Sequence, residues 1–290
     1  NYLGYEDDTK TNVGSMKVKG LDAEATYRGS VGRLNFSISG NASSVRSEVT
    51  DVGGRNDFTT DEGTKINIKG SEFNEWFGYQ TRGLYQTQQE ADEYGVNASA
   101  GDIWIVDQPT VDSDNDGLPD TGDKIINERD RAPLGASLPK FTYGGSIMLQ
   151  YQGFDLSVVF NGVGKHTRRY DGFQVRPFLE NFGNAPSIML DNYWSNDNSA
   201  EENAQADYPR LSARSETNNY AVSDFWLFNG SYFRMKNVTL GYTLPASVIS
   251  RANLNQVKFY IGLRDYFTVQ KNFIDGWDPE AVSDGYPIMK

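Results

Sequence analysis

The sequence predicts an all-β fold, a segment of a transmembrane antiparallel β-barrel. Three observations predict it: strict alternation of apolar and polar residues, strands long enough to cross a bilayer, and connections that are short and long by turns. The clearest alternation sets Leu34, Phe36, Ile38, Gly40 and Ala42 against Asn35, Ser37, Ser39, Asn41 and Ser43. A side-chain period of two gives such a strand one apolar and one polar face. A second strand runs Phe141, Tyr143, Gly145, Ile147, Leu149, Tyr151, and a third follows at once with Phe154, Leu156, Val158, Phe160. Only Gln152-Gly153 separates them, which reads as a tight hairpin.

Two more such pairs complete the pattern. Leu21, Ala23, Ala25 and Tyr27 precede the Leu34 strand across a turn of Arg28 to Arg33. Val238, Leu240, Tyr242 and Leu244 are followed, after a connection opened by Pro245, by Val257, Phe259, Ile261 and Leu263. Between pairs the links are long, Ser44 to Lys140 and Lys165 to Ser231, which suits short periplasmic turns and elaborated extracellular loops. A soluble sandwich also alternates, but its strands centre on about 5 to 6 residues, whereas a tilted membrane crossing takes about 9 to 11. Because the smallest barrels need about eight strands, the six read here leave the rest of the wall to lie outside residues 1–290.

Composition narrows the function classes. With 39 Asp and Glu against 27 Lys and Arg, the net charge of -12 opposes any role that neutralises nucleic-acid phosphates, so no nucleic-acid partner is expected. The absence of cysteine excludes disulfide staples, thiolate metal sites and cysteine nucleophiles, and a single His excludes a histidine metal cluster. No run reaches the roughly 18 apolar residues of a spanning helix, a test that alternating barrel strands escape. The chain opens at Asn1 without a signal peptide and is expected to be a fragment.

One loop carries a ligand-like spacing. Asp112, Asp114, Asp116, Asp120 and Asp123 stand at positions 1, 3, 5, 9 and 12 of a twelve-residue loop, with Gly117 at position 6. That is the spacing of a Ca²⁺ loop, in which alternate residues turn oxygen ligands inward and glycine permits the sharp bend. A solvated acidic loop is the competing reading.

From about Glu62 onward several motifs occur in order. They are Phe73-Asn74-Glu75-Trp76-Phe77-Gly78-Tyr79, then Gly83-Leu84-Tyr85-Gln86 leading into a short acidic helix for which Thr87 and Glu90 supply a capping box. Gly101-Asp102, Asp130-Arg131 and Phe141-Thr142-Tyr143-Gly144 follow. Later come Ser223-Asp224-Phe225-Trp226, the run Asn229 to Asn237, Leu240-Gly241-Tyr242-Thr243-Leu244-Pro245, Asp278-Pro279-Glu280 and Tyr286-Pro287. This succession resembles the C-terminal half of SusC/RagA-like TonB-dependent transporters, from which the chain departs at Asp265-Tyr266, where the family commonly has Asn-Leu. The resemblance implies an outer-membrane importer of oligosaccharides or peptides. It also implies a SusD-like surface lipoprotein acting as a lid, and energy coupling to the TonB complex through an N-terminal part outside this sequence.

Trp76, Tyr79, Tyr85, Trp194 and Trp226, all in the long connections, are candidates for stacking on sugar rings or gripping peptide side chains. The competing reading packs such rings within the loops or sets them at the membrane interface, and Tyr232 and Tyr242 are read as girdle or wall residues rather than binders. His166, beside Arg168 and Arg169, reads as an exposed loop residue rather than a catalytic base. No nucleophile, base and orienting group can be assembled, so no enzyme is expected. The rival readings are a secreted calcium-dependent binding or adhesion domain and a soluble β-rich glycosidase built on loop carboxylates.

Overall fold

The computed structural model describes residues 14–172, 175–178, 183–212, 218–250, 254–271 and 278–280. In chain order its elements are β1 (Ser15–Val31), β2 (Leu34–Asp51), β3 (Asp57–Thr60), β4 (Lys65–Ile68), β5 (Glu75–Tyr79), β6 (Thr81–Leu84), α1 (Gln88–Tyr94), β7 (Ile103–Ile105) and β8 (Arg131–Ala136). Then follow β9 (Phe141–Tyr151), β10 (Phe154–Gly164), β11 (Thr167–Arg169), α2 (Ala200–Ala204), β12 (Leu227–Thr243), α3 (Ala246–Ile249) and β13 (Lys258–Lys271). The main sheet runs β1-β2-β9-β10-β12-β13, all antiparallel, with β11 prolonging the line of β10 against β12. The six strands read from the sequence are all present. The sheet is open, with β1 and β13 at its edges.

The turns are fixed by local chemistry. Gln152 and Gly153 both adopt positive φ, 49° and 91°, as a two-residue turn matched to the twist of its strands requires. The first turn is tighter than Arg28 to Arg33, because β1 continues to Val31 and Gly32, at φ 61°, makes the reversal. The Tyr286-Pro287 pair lies outside the described residues.

Register decides the two faces, since residues directly opposite on neighbouring strands share one. One row crosses the sheet as Gly29, Phe36, Leu149, Leu156, Leu240 and Ile261, and the next as Tyr27, Ile38, Ile147, Val158, Val238 and Leu263. The row nearest the short turns is Val31, Leu34, Tyr151, Phe154, Tyr242 and Phe259, a girdle rich in aromatic rings that includes the expected Tyr242. The opposite face reads Arg28, Ser37, Met148, Ser157, Thr239 and Gly262, then Thr26, Ser39, Ser146, Val159, Asn237 and Arg264. The apolar face stands open: Leu21 is 72% and Ile261 65% exposed. A soluble sandwich would cover such a surface with a second sheet, and none does so among the described residues. Polar residues line the other face, as a hydrated lumen demands.

Four strands outrun a minimal crossing. β1, β2, β12 and β13 hold 17, 18, 17 and 14 residues, so the long connections shrink to residues 52–140 and 165–226. A bulge keeps the faces in phase along β12 and β13. Asn237 pairs with Val159 and Arg264, whereas Met235 pairs with Phe160 and Phe267, so Lys236 and the pair Asp265-Tyr266 are extra residues. Asp265 takes φ 47° there.

On the lumen face beside the bulge lies an ion-pair cluster. Arg234, 2% exposed, reaches Asp278 Oδ1 and Glu280 Oε2 at 2.7 Å each, and Lys236 reaches Glu280 at 2.7 Å and Asp265 at 2.9 Å. Tyr232 also points inward, its hydroxyl donating to Glu280 Oε1 at 3.3 Å, so of the two places expected for it, girdle or wall, it takes the wall. The segment 278–280 is thereby held against the wall.

The two faces set a direct test. In the full-length protein refolded into vesicles, Ile147→Arg should cost about 2 to 4 kcal/mol, the scale for arginine at mid-depth on a lipid face, while Ser146→Arg should be tolerated. Equal losses in urea titrations would contradict the assigned faces.

Candidate functional site in the loop layer

Above the long-loop end of the sheet, the two long connections fold into one layer. The first contributes a four-stranded sheet, β3-β4-β5-β8, and the hairpin β6-β7. It also contributes α1, whose capping box is formed by Thr87 and Glu90 as the sequence predicts. The second contributes short helical turns and α2, capped in the same way by Ser199 and Glu202. Their shared core gathers Tyr79, Leu84, Ile103 and Ile105 from the first with Tyr170, Met189, Trp194, Tyr208 and Trp226 from the second.

Polar stitches close the seam. Asp102 is buried and accepts from Arg210 Nε at 2.6 Å and Nη2 at 3.2 Å, from Asn219 Nδ2 at 2.8 Å and from the Ser99 N–H at 2.9 Å. Asn219 Oδ1 in turn accepts from the Ile103 N–H, and its carbonyl accepts from the Trp226 indole. With both carboxylate oxygens occupied, the buried charge is compensated. At Gly78 a Cβ would meet the Val222 carbonyl oxygen at 2.2 Å, and this closeness lets the Tyr79 N–H reach that oxygen. Neither stitch is visible as a local motif, since Asp102 and Arg210 are 108 positions apart. In the sequence, Gly101-Asp102 and Trp226 stand out only as members of the motif succession that carries the family resemblance.

Burial places the aromatic candidates. Tyr85 is 0% exposed and stacked on Trp104 at 4.7 Å, and Trp226 is 1% exposed; Tyr79 and Trp194 are also buried. They pack the layer because a loop region of this size needs an apolar core of its own. Burial also pushes the Tyr85 and Tyr208 hydroxyls above the ordinary phenol value. Trp76 is half-buried, donates from Nε1 to the Thr167 carbonyl at 2.8 Å, and has the cations of Lys65 and Arg169 at 5.1 and 5.7 Å from its ring. His166 is half-buried rather than exposed, pressed against Gly230, where a Cβ would lie 2.6 Å from the ring. Burial, with Arg168 beside it, holds its ring below the usual pKa and therefore neutral at pH 7.

Between the two halves of the layer opens a cleft of ≈ 620 Å³. Gln86, Thr87 and Ser99 of the first connection line it together with Tyr193, Trp194, Asn196, Arg210 and Leu211 of the second. This mixture of amide, hydroxyl and ring edge suits a polar oligomer with apolar patches.

The acidic loop is a small projection closed by an antiparallel bridge between Val111 and Thr121. Asp112, Asp114 and Asp116 bring carboxylate oxygens within 4.8 Å of one another, and Gly117 makes the bend at φ 93°. Asp120 and Asp123 do not join them. Asp120 accepts from the Ser113 N–H and hydroxyl at 2.9 and 2.6 Å, and Asp123 from the Ile125 N–H at 2.9 Å. At the neck, burial pushes the Asp107 carboxyl above the usual carboxylate range; the Lys124 N–H opposes the shift, and Asp130 and Asp123 add to it.

A sheet apolar outside and polar inside, capped by stitched loops at one end, is the arrangement of a large outer-membrane barrel, and known proteins bear it out. The chain is 26% identical over 282 residues to the TonB-dependent receptor P3 of Formosa agariphila, covering 93% of this chain and 26% of that one. To the TonB-dependent receptor SusC of Bacteroides thetaiotaomicron it is 28% identical, covering 94% and 25%. The chain is SusC/RagA-like. Its fold matches the RagAB peptide transporter with a TM-score of 0.68 at 22% identity, covering 95% of this chain and 28% of that one. It matches the "closed-closed" state of the RagAB peptide importer with a TM-score of 0.66 at 23% identity. No family model matches. The chain spans about a quarter of the length of the curated relatives it matches. Those relatives are receptors and transporters rather than enzymes, and the sheet matches the wall of an outer-membrane β-barrel similar to theirs.

The seam is testable by hydrogen exchange. Asp102→Ala leaves Arg210 without its carboxylate and should weaken the layer by about 2 to 3 kcal/mol, less than a fully enclosed pair because part of Arg210 stays in water. Exchange should quicken in residues 99–105 and 218–226 while β9 and β10 stay protected. Unchanged exchange at the seam would show that the clip does not hold it.

Proposed function

We propose that this chain forms part of the wall and the outer loops of a TonB-coupled importer of nutrient oligomers, either oligosaccharides or peptides. The observation that carries the reading is the seam cleft framed by two long connections that share one core, in a chain whose long-stranded sheet has one apolar and one polar face. Solvent-accessible polar groups around it offer hydrogen bonds to sugar hydroxyls or peptide amides, and Tyr193, half-buried at its rim, offers a ring. A SusD-like lipoprotein would close the site from above. The TonB complex would act through parts of the protein beyond this chain.

Deleting the gene should abolish growth on the cognate oligomer and leave growth on its monomers intact. In the complemented strain Tyr193→Ala should weaken oligomer binding about five- to thirtyfold, the usual effect of truncating a contact worth 1 to 2 kcal/mol. Normal oligomer uptake in the deletion strain would refute the importer reading; unaltered affinity in the variant would move the site elsewhere.

We further propose that the loop from Asp112 to Asp123 takes up Ca²⁺, with Asp112, Asp114 and Asp116 as its first ligands. Three carboxylates this close repel one another, and a divalent cation would cancel the repulsion and fix the bend at Gly117. Asp120 and Asp123 would have to leave Ser113 and Ile125 to complete the shell, so a weak site filled only by a calcium-rich exterior is expected. Mg²⁺ fits less well, because it keeps a smaller shell and several waters. Replacing Asp114 and Asp116 with Asn should abolish Ca²⁺-dependent protection of this loop from proteolysis. Protection independent of chelator in the parent protein would refute the assignment.

A further inference from the structure

The apolar face ends in positive charge. On β1 the outward residues run Val31, Gly29, Tyr27, Ala25, Ala23 and Leu21, and the next two on that face are Lys19 and Lys17. On β2 the same face runs from Leu34 to Ser44 and then reaches Arg46 and Glu48. From Val31 to Leu21 the strand climbs about 33 Å, or about 25 Å vertically at the usual barrel tilt, which is the height of an outer-membrane apolar band. Lys19 and Arg46 therefore stand one step above the hydrocarbon, on the lipid side and at the long-loop end. Headgroups of the outer leaflet lie at that level.

Two features make this more than a surface charge. Lys19 and Arg46 are direct partners in the register, and like charges opposite one another weaken a strand pair unless an anion lies between them. Lys17, Lys19 and Arg46 are all exposed, and none forms an ion pair among the described residues. The acidic residue on this patch is Glu48, opposite Lys17.

We propose that Lys17, Lys19 and Arg46 form a docking site for the phosphate groups of the phosphorylated glycolipid of the outer leaflet. The acyl chains would lie along Leu21, Tyr27 and Ile38 below, and the phosphates would bridge Lys19 to Arg46 across the strand pair. The site is independent of the seam cleft and of any transported molecule; it rests on the outer-membrane placement alone.

The experiment uses the full-length protein in nanodiscs of zwitterionic phospholipid, titrated with bisphosphorylated lipid A and followed by native mass spectrometry. The parent protein should retain lipid A, and the triple variant Lys17→Gln, Lys19→Gln, Arg46→Gln should bind it about a hundredfold more weakly, about fivefold per cation. Dephosphorylated lipid A should bind the parent as weakly as the bisphosphorylated form binds the variant, and millimolar inorganic phosphate should not displace the lipid. Glu48→Gln should tighten binding, and the lumen-facing Arg28→Gln should leave it unchanged. Equal retention of lipid A by parent and triple variant, or equal binding of the dephosphorylated lipid, would overturn the proposal, as would displacement by free phosphate.

Discussion

Inside hydrocarbon no water is available to the backbone, so every N–H and C=O at that depth must be bonded within the protein. The antiparallel ladders that join β1 through β13 answer this constraint, and most other features follow from it. A ladder fixes register, and register fixes which side chains share a face. The apolar band, the aromatic girdle at the short turns and the hydrated lumen wall are consequences of that single commitment. Gly241 shows how closely it is kept: a Cβ there would lie 2.6 Å from Lys258 and 2.8 Å from Asp155, whose ion pair at 2.9 Å passes over it on the lumen side.

Among the register shifts of the described ladders, the bulge at Lys236 is the one that faces the ion-pair cluster. An extra residue would ordinarily turn every later side chain to the wrong face. Here β13 adds Asp265-Tyr266 at the same height, so Met235, Phe233, Phe267 and Val269 return to the lipid side. The irregularity turns Lys236 inward beside Arg234, where Asp265, Asp278 and Glu280 meet both cations. Asp265, in the bulge itself, is thus a member of the cluster.

The sheet was largely legible in the sequence because a half-buried strand writes its faces as a period of two. Strands were read too short where they leave the bilayer: around Lys17, Lys19, Arg46 and Glu48 both faces are wet and alternation ceases to mean burial. The capping box of α1 was legible because it is local. The loop core was not, since an irregular layer has no period. Tyr85 and Trp226 look the same in sequence whether they grip a ligand or fill a core, and Asp102 cannot announce Arg210 from so far away. The acidic loop was legible in part: spacing named five aspartates, but Asp120 and Asp123 found Ser113 and Ile125 as nearer partners.

Because the seam runs between connections far apart in the chain, neither connection owns its fold. Tyr79 leans on Val222, Asp102 on Arg210 and Asn219, and Thr81 on Asp224 through a 2.5 Å hydrogen bond. An exchange of one loop between related receptors would sever all of these at once. Inheritance of a new outer surface, by recombination or by grafting, has to carry both halves together.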